Sequence, residues 1–387
     1  MASLCLLSFI RFILGPLPLL DLYVHLDGAT DWQHGLDPYR TYLMRSPGEL
    51  GGGYVFPPYT LPLFLAIAHL PRPTAAGLWL AAECATLAWL IWDLALPRSP
   101  LRLAALLVLV VFFTPVLTNI ALGQIGIFTL GGAWAAGRLA ERVSSRAGLL
   151  LAAAGMFKLF PLSFGASLLQ RHRWRTVAWA LAAIVVALLI TLPLVFGLWP
   201  EYVGGVLLGH VGGANPSPGN QSLASAVVRS LTSNRYQQPL LVAPALARVL
   251  SVVLPLALLG AVFATLRNRV DERLRDAIVL ACMPLVVPNA WQHYYVLALP
   301  LLWIVISAGL IRRSPWLLAV SAVALIGLSW FPATIDESYF EVARVAPAWH
   351  GFYANSSVIA GVLLLLTGLY LARAGYSDVA RASSAVA

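Results

Sequence analysis

The sequence predicts an all-α integral membrane protein whose chain crosses the bilayer many times. Of its 387 residues, 60% are hydrophobic and 11% are charged, and the mean hydropathy is +0.81. A soluble domain carries about 25% charged residues, so this composition excludes an ordinary soluble protein. Apolar runs of about 17–25 residues, the length that spans hydrocarbon, recur along the chain. We therefore predict one domain over residues 1–387, a bundle of about 10–12 transmembrane helices, some of them short or re-entrant.

The apolar segments set the organisation of this bundle. They cover residues 2–20, 58–96, 103–119, 124–139, 148–169, 175–198, 241–266, 276–288, 294–311, 315–332 and 355–372. Segment 58–96 is interrupted by a Pro-Arg-Pro sequence, and segment 148–169 is interrupted by Pro161. We predict a re-entrant piece at 58–70 before a full helix, and a hairpin or re-entrant pair broken near Pro161. Interrupted helices are tolerated at membrane depth where their backbone lines a cavity, so both breaks indicate an internal cavity.

The charge distribution predicts the orientation of the chain. The formal net charge is +9, and the arginines are concentrated in short loops between apolar segments. Because positive residues are retained on the cytoplasmic side of a membrane, we place these loops in the cytoplasm and expect no nucleic-acid partner. The polar loops 21–57, 199–240, 289–293 and 333–354 then share the extracytoplasmic face. The three cysteines have no paired spacing and predict neither a disulfide framework nor a metal site.

Acidic residues are concentrated directly after the first apolar segment. Only 16 residues of the chain are Asp or Glu, yet Asp21, Asp27, Asp31 and Asp37 fall close together here, with two histidines among them. A partly desolvated carboxylate has the proton affinity of a general base. We therefore expect the chemistry at this stretch, on the rim of the membrane. Asp37 also has a structural interpretation, because it precedes Pro38 at a usual turn position.

Lys158 is the single lysine of the chain, and it lies inside the apolar run GLLLAAAGMFKLFPLSF. A charge at the centre of a membrane helix costs roughly 2.5–3.5 kcal/mol on the insertion scale, and such residues usually face a cavity and hold a partner. A lipid phosphate is a suitable partner for a lysine. The alternative is a side chain that runs along apolar surface and places its ammonium at the interface.

Other polar groups stand at the ends of apolar segments. His293 lies at the apex of a predicted hairpin beside Trp291; an imidazole can bind phosphate, whereas the aromatic residues also fit a membrane-interface belt. Gln124 begins an apolar helix, where an ordinary polar cap is the alternative. Asn220 and Arg229 lie in the loop 199–240. Arg229 has two open interpretations, a clamp for a phosphate or sugar and a structural ion pair with a loop carboxylate.

Motifs for soluble activated donors are missing from the sequence. It contains no P-loop, no Rossmann fingerprint, no nucleophile elbow and no His or Cys cluster with metal-ligand spacing. A nucleotide sugar such as GDP-mannose is therefore disfavoured, and no cofactor is expected. An enzyme of this form needs a donor that arrives through the membrane already activated.

Seven short motifs together resemble the polyprenyl-phosphate-sugar-dependent glycosyltransferases of the GT-C superfold, and most closely glycosyltransferase family 87, the actinobacterial α-1,2-mannosyltransferases. The motifs are DLYVHLDGA from Asp21, GLDPY from Gly35, FPPY from Phe56, GQ at Gly123, FKLFP around Lys158, NQS at Asn220 and WQHY from Trp291. Their order extends the resemblance over nearly the whole chain. Two departures occur: Gly126 stands where the family often has Asn in G-Q-x-N, and Phe56 stands where it often has Tyr before Pro-Pro.

The resemblance implies an inverting transfer of a hexose, in the first place mannose, from a polyprenyl phosphate to a hydroxyl of a lipid-linked or cell-envelope glycan. Asp21 would be the general base, with Asp27 as the alternative. Lys158, His293 and Arg229 would neutralise the leaving phosphate, and no metal is required. The other residues implied in substrate binding are Asp27, Asn220, Gln124, Trp291 and Tyr59.

The family also implies the setting of this reaction. The product would be α-1,2-linked, and the acceptor would be a phosphatidylinositol mannoside or a related lipoglycan. The protein would be a multi-pass protein of an actinobacterial plasma membrane with an extracytoplasmic active site. Mannose, arabinose and other sugars remain open at this point, as do the acceptor and the oligomeric state.

A transporter or lipid flippase is the competing function, because broken helices and a buried lysine also suit transporters. Transporters often contain inverted repeats, which this sequence does not show. Their polar residues also gather near the bilayer midplane, whereas here most lie in loops on one face. A non-catalytic scaffold would leave Lys158 and the aspartate-rich stretch unexplained.

Overall fold

The chain folds into a bundle of helices in which the described residues form no β-strand. The computed structural model describes residues 19–40, 53–96, 99–211, 214–234, 236–268, 270–329 and 354–376. Most of the first apolar segment 2–20, residues 41–52 of the loop 21–57 and nearly all of the loop 333–354 therefore lie outside the described residues. Within those ranges, β-type backbone pairing is limited to one isolated antiparallel bridge, between Asn220 and Trp291. The prediction of an all-α membrane protein is confirmed.

Fifteen helices carry the architecture described below. They are α1 Leu20–Gln33, α2 Leu61–Ala68, α3 Arg72–Leu94, α4 Pro100–Phe112, α5 Thr114–Leu122, α6 Gly126–Leu139, α7 Ser144–Phe157, α8 Phe164–Gln170, α9 Trp174–Val195, α10 Leu223–Leu231, α11 Pro244–Leu266, α12 Glu272–Val286, α13 Leu299–Ile311, α14 Pro315–Ser329 and α15 Ser356–Arg373. Short 3₁₀ turns precede α2, α8 and α13, and irregular helical turns continue α9 to residue 211.

Several of these helices are long and apolar enough to cross a membrane. In the described ranges five reach that length: α3, α9 with its continuation to Leu207, α11, the run Gln292–Ile311 that includes α13, and α15. The pair α4 and α5 would make a sixth span, although it bends by 62°. Shorter apolar helices occur at Pro58–Ala68 and Pro315–Ser329.

The bend between α4 and α5 is a feature that the sequence segment 103–119 did not predict. Phe113 leaves the helical region with φ −90° and ψ 89°, and α5 restarts at Thr114. Pro115 follows in the first turn of α5. A proline has no N–H to donate, and its ring clashes with the carbonyl four residues earlier, so one helix cannot pass through this position undisturbed.

The two predicted interruptions are present. The piece of segment 58–96 that was predicted to be re-entrant contains the short helix α2, and α3 starts afresh at Arg72 after Pro71 in extended conformation. In the second segment α7 ends at Phe157, Lys158 is extended with φ −133° and ψ 123°, and a 3₁₀ turn leads into α8. Both breaks therefore occur where proline prevents a continuous backbone ladder.

The aspartate-rich stretch begins with a helix rather than an irregular loop. Leu22, Leu26 and Ala29 are buried along α1 and recur with helical spacing. They pack in a hydrophobic cluster that also contains Phe56 and Phe64. The cluster fixes α1 against α2 and the FPPY segment, so that the acidic residues are carried on a rigid element.

Ion pairs join helices at the end of the bundle that the charge bias assigns to the cytoplasm. Arg171 contacts Asp276 at 2.9 Å and Glu272 at 2.8 Å, and Arg273 contacts Asp93 at 3.0 Å. Asp93 lies near the end of α3, whereas α3 begins at Arg72. The 23-residue α3 is about 33 Å long at 1.5 Å per residue. Residues that contact the start of α3 are therefore roughly a membrane thickness away from these pairs.

Candidate functional site

A tight turn between α5 and α6 meets the start of α1. Gly123 adopts a left-handed conformation with φ +66°, and a Cβ there would stand 2.7 Å from the Cβ of Leu22. The amide of Leu19 donates to the carbonyl of Ala121 at 2.8 Å. Because only glycine allows both the turn and this approach, the GQ motif brings Gln124 beside the first turn of α1, which carries Asp21.

Gln124 bridges Asp21 and Lys158 through its two amide atoms. Its Nε2 donates to the Oδ2 of Asp21, and its Oε1 accepts from the Nζ of Lys158 at 3.1 Å. Burial raises the pKa of the Asp21 carboxyl above its usual value; the Gln124 hydrogen bond and the Lys158 charge oppose that rise. A half-buried carboxylate with a raised pKa is a better proton acceptor than an exposed aspartate.

Lys158 points inward from the break after α7. Its Nζ lies 3.8 Å from the centroid of the Tyr294 ring, which suits a cation–π contact. Tyr294 in turn stacks on Phe160 with 5.5 Å between ring centroids. The FKLFP and WQHY motifs, more than a hundred residues apart in sequence, therefore meet at this ammonium. The alternative of a lysine reaching out to the interface does not match a side chain that bonds Gln124.

His293 is held beside this group by its backbone. Its carbonyl accepts from the Nδ2 of Asn119 at 2.6 Å, while its buried Nε2 has no hydrogen-bond partner in the described part of the chain. The Oδ1 of Asn119 would stand 2.3 Å from a Cβ on Gly126. Gly126 is the position where the family that the motifs resemble often has Asn, and here the side chain of Asn119 occupies the space that such a residue would need.

Asp27, the alternative base, is placed differently from Asp21. Its Oδ1 accepts from Arg72 at 2.6 Å, and the two side chains are 55% and 64% exposed. An exposed ion pair of this kind contributes about 0–1 kcal/mol. Asp37 accepts from the amide of Tyr39 at 2.8 Å, which is the turn contact expected of an aspartate before proline.

Tyr59 supports the site through its backbone contact. Its hydroxyl donates to the carbonyl of Met156 at 2.7 Å, in the last turn of α7 before Lys158. The Tyr59 ring is buried and lies 6.1 Å from the ring of Trp199. This contact ties the end of α7 to Tyr59 and so helps to position the lysine side chain.

Asn220 and Trp291 connect the NQS motif to the hairpin that carries His293. The Nδ2 of Asn220 donates to Asn289 Oδ1 at 2.7 Å, and its Oδ1 accepts from the amide of Ala290 at 2.9 Å. The Trp291 ring covers Gly219, where a Cβ would approach it to 2.5 Å. Asn220 is buried and its amide is engaged with protein atoms, so it orders the hairpin.

Arg229 is fully buried, and its guanidinium bonds to uncharged protein oxygens. It donates to the carbonyls of Ser217 at 2.6 Å and Asn220 at 2.8 Å, and to Asn355 Oδ1 at 2.7 Å. The sequence left two interpretations open, and these contacts do not support the ion pair with a loop carboxylate. Arg229 instead fastens the 215–222 loop to the start of α15.

His25 is a residue of this region that the sequence analysis did not select. It lies one helical turn after Asp21 on α1, and its ring stands 4.0 Å from that of Phe56. The spacing of four residues from the candidate base was the available signal, since residues so spaced share a helix face. Its burial among aromatic rings depends on contacts that no local pattern reveals.

The structure is a bundle of interrupted apolar helices in which an inward lysine is bridged to a carboxylate through Gln124. The sequence profile of glycosyltransferase family 87 matches residues 54–288. The chain belongs to glycosyltransferase family 87, and the resemblance seen in its motifs is confirmed. It is a multi-pass membrane glycosyltransferase.

Curated relatives match over most of their length. A polyprenol-phosphate-mannose-dependent alpha-(1-2)-phosphatidylinositol mannoside mannosyltransferase of Mycolicibacterium smegmatis is 27% identical over 378 residues, covering 89% of this chain and 82% of the relative. The protein of the same name from Mycobacterium tuberculosis is 27% identical, covering 84% and 79%. A pentamannoside mannosyltransferase of M. tuberculosis is 23% identical, covering 90% and 80%. No solved structure matches this chain.

Proposed function

We propose that this protein transfers mannose from a polyprenyl-phosphate-mannose donor to a hydroxyl of a phosphatidylinositol mannoside or related glycolipid, with Asp21 as the general base. The observation that carries the proposal is the Gln124 bridge, which holds a carboxylate and an ammonium on the two ends of one amide. The names of the mycobacterial relatives supply the donor, the acceptor class and the α-1,2 linkage. The region would face the extracytoplasmic side, opposite the arginine-rich loops.

The proposed reaction transfers one proton to Asp21 and releases one leaving group, the lipid phosphate. Asp21 accepts the proton of the acceptor hydroxyl while that oxygen attacks the anomeric carbon. The bond between that carbon and the phosphate oxygen breaks on the opposite face, and the electron pair leaves with the phosphate. Attack from the opposite side inverts the configuration, so a β-linked donor gives an α-linked product.

Electrostatics support this division of roles. The raised pKa of Asp21 keeps its carboxylate basic, and the Gln124 amide keeps it ionised and oriented. The Lys158 ammonium supplies positive charge where negative charge develops on the leaving phosphate, a form of stabilisation that is strong in a site shielded from water. His293 lies beside it, separated by the Tyr294 ring, whose centroid is 4.9 Å from that of the imidazole.

The test uses the purified full chain in nanodiscs with radiolabelled polyprenyl-phosphate-mannose and a phosphatidylinositol mannoside. We expect label to enter the glycolipid, to be released by an α-mannosidase, and to be absent when GDP-mannose replaces the lipid donor. A parallel assay in proteoliposomes tests the alternative: movement of the labelled lipid donor between leaflets, without any glycolipid product from a panel of polyprenyl-phosphate sugars, would support a transporter or flippase function.

A further inference from the structure

His25 is a polar group of the site to which the proposed reaction gives no role. It follows Asp21 by four residues on α1, so the two side chains leave the same face of the helix. Only 5% of the residue is exposed, and its Nδ1 is fully buried without a hydrogen-bond partner among the described residues. An unsatisfied buried ring nitrogen destabilises a fold, which suggests a partner other than the described residues.

The ring is held rigidly by aromatic neighbours. Phe56 lies against it at 4.0 Å with an interplanar angle of 33°, Phe64 lies at 5.2 Å, and Tyr54 meets it edge-on at 5.5 Å. These contacts fix the plane of the imidazole but occupy none of its hydrogen-bonding capacity. Such a ring is preorganised to give or accept one hydrogen bond in a fixed direction.

His25 and Lys158 border the same aromatic ring. The Nζ of Lys158 is 6.0 Å from the centroid of the Phe56 ring, and the imidazole of His25 also contacts that ring. Burial first, and the Lys158 charge second, lower the pKa of His25 to about 3. At neutral pH the imidazole is therefore uncharged and retains one N–H donor beside the ammonium.

We propose that His25 binds the lipid phosphate of the donor, donating its ring N–H to a phosphate oxygen that the Lys158 ammonium also contacts. The assignment rests on the proposed function and adds to it a substrate-contacting residue. A phosphate presents several acceptor oxygens, so it can satisfy an ammonium and an imidazole together. A neutral imidazole adds a donor here without placing a second positive charge beside Lys158. It also couples the position of the phosphate to the helix that carries Asp21.

The experiment measures binding rather than transfer. Wild type, His25→Phe and Phe64→Leu are titrated in nanodiscs with a polyprenyl phosphate that lacks the sugar and, separately, with the matching polyprenol. His25→Phe keeps an aromatic ring but removes both nitrogens, whereas Phe64→Leu disturbs the same packing and leaves the nitrogens in place. We expect His25→Phe to weaken phosphate binding about tenfold or more, as for loss of one hydrogen bond to a charged group. Polyprenol binding should stay within about twofold in every variant.

Several outcomes separate the possibilities. Equal phosphate affinity in wild type and His25→Phe overturns the role of His25 and leaves the transferase function standing. Parallel losses in Phe64→Leu, or equal losses for phosphate and polyprenol, assign His25 to packing. A wild type that prefers neither ligand contradicts the polyprenyl-phosphate donor itself. His25→Gln supplies a second variant, because its amide N–H should recover part of the phosphate affinity if His25→Phe folds poorly.

Discussion

The Gln124 bridge gives the sharpest consequence of the site geometry. Replacement of Gln124 by Met keeps the length of the side chain and removes both polar atoms. Asp21 then loses a hydrogen-bond donor, and Lys158 loses the acceptor at 3.1 Å from its Nζ. The surrounding turn is retained, because Gly123 is unchanged. The backbone N–H of residue 124 also still donates to the carbonyl of Asn119, at 2.9 Å.

The size of the effect follows from what the bridge holds in place. The bond stabilises the ionised carboxylate, so its loss by itself would make Asp21 a stronger base. The rate should fall because Asp21 and Lys158 are no longer oriented, and a misplacement of about 1 Å can lower kcat/KM roughly a hundredfold. The bond also favours the ionised carboxylate and so opposes the rise in the pKa of Asp21 caused by burial. Without it the pKa rises further, and the acid limb of the kcat/KM profile should move to higher pH.

The assay is mannosyl transfer measured across pH for wild type, Gln124→Met and Thr118→Ala. Thr118 is a matched control, since its hydroxyl donates only to the backbone carbonyl of Thr114 at 2.9 Å. We expect the control to follow wild type in rate and in the position of the acid limb. A Gln124→Met enzyme with wild-type kcat/KM and an unmoved acid limb would refute the bridge as a determinant of Asp21 basicity.

Two further predictions concern the structure around the site. Arg229→Met should lower the apparent unfolding temperature by many degrees, because several buried oxygens lose their donor at about 1–3 kcal/mol each; Arg248→Ala, at an exposed position of α11, should leave it unchanged. An equal temperature for both would contradict the structural role. Gly126→Ala should displace the Asn119 side chain from its contact with the His293 carbonyl and lower transfer activity, at a cost of about 1–3 kcal/mol in stability by overpacking. Unchanged stability and activity in Gly126→Ala would show that the Asn119 side chain does not fill the space beside Gly126.

Some features of the site were readable from the sequence because they rest on local chemistry. Lys158 is a lone charge in an apolar run, and proline dictates the break beside it. The family motifs placed Asp21 and Gln124 in the same site, and the structure joins them by a hydrogen bond. The glycine before Gln124 was visible, whereas its close approach to Leu22 depends on how α1 packs.

Other features depend on tertiary contacts that no short pattern records. From the sequence, Arg229 could have been a phosphate clamp or half of an ion pair. In the structure its guanidinium instead donates to backbone carbonyls and to the side-chain amide of Asn355. His25 is indistinguishable in sequence from an ordinary core histidine until the aromatic rings around it are in place. The bend at Phe113 also required the structure, because Pro115 is compatible with the first turn of a new helix as well as with a kink.

The most direct test of Asp21 as the base compares Asp21→Asn with Asp27→Asn in the mannosyl-transfer assay. Both substitutions remove one carboxylate from α1, but Asp21 contacts Gln124 whereas Asp27 pairs with Arg72 in an exposed position. We expect Asp21→Asn to lose at least about a hundredfold in kcat, as for loss of a general base, and Asp27→Asn to stay within a few-fold of wild type. Both variants should elute as folded protein in gel filtration. An active Asp21→Asn enzyme alongside an inactive Asp27→Asn enzyme would contradict the assignment and move the base to Asp27.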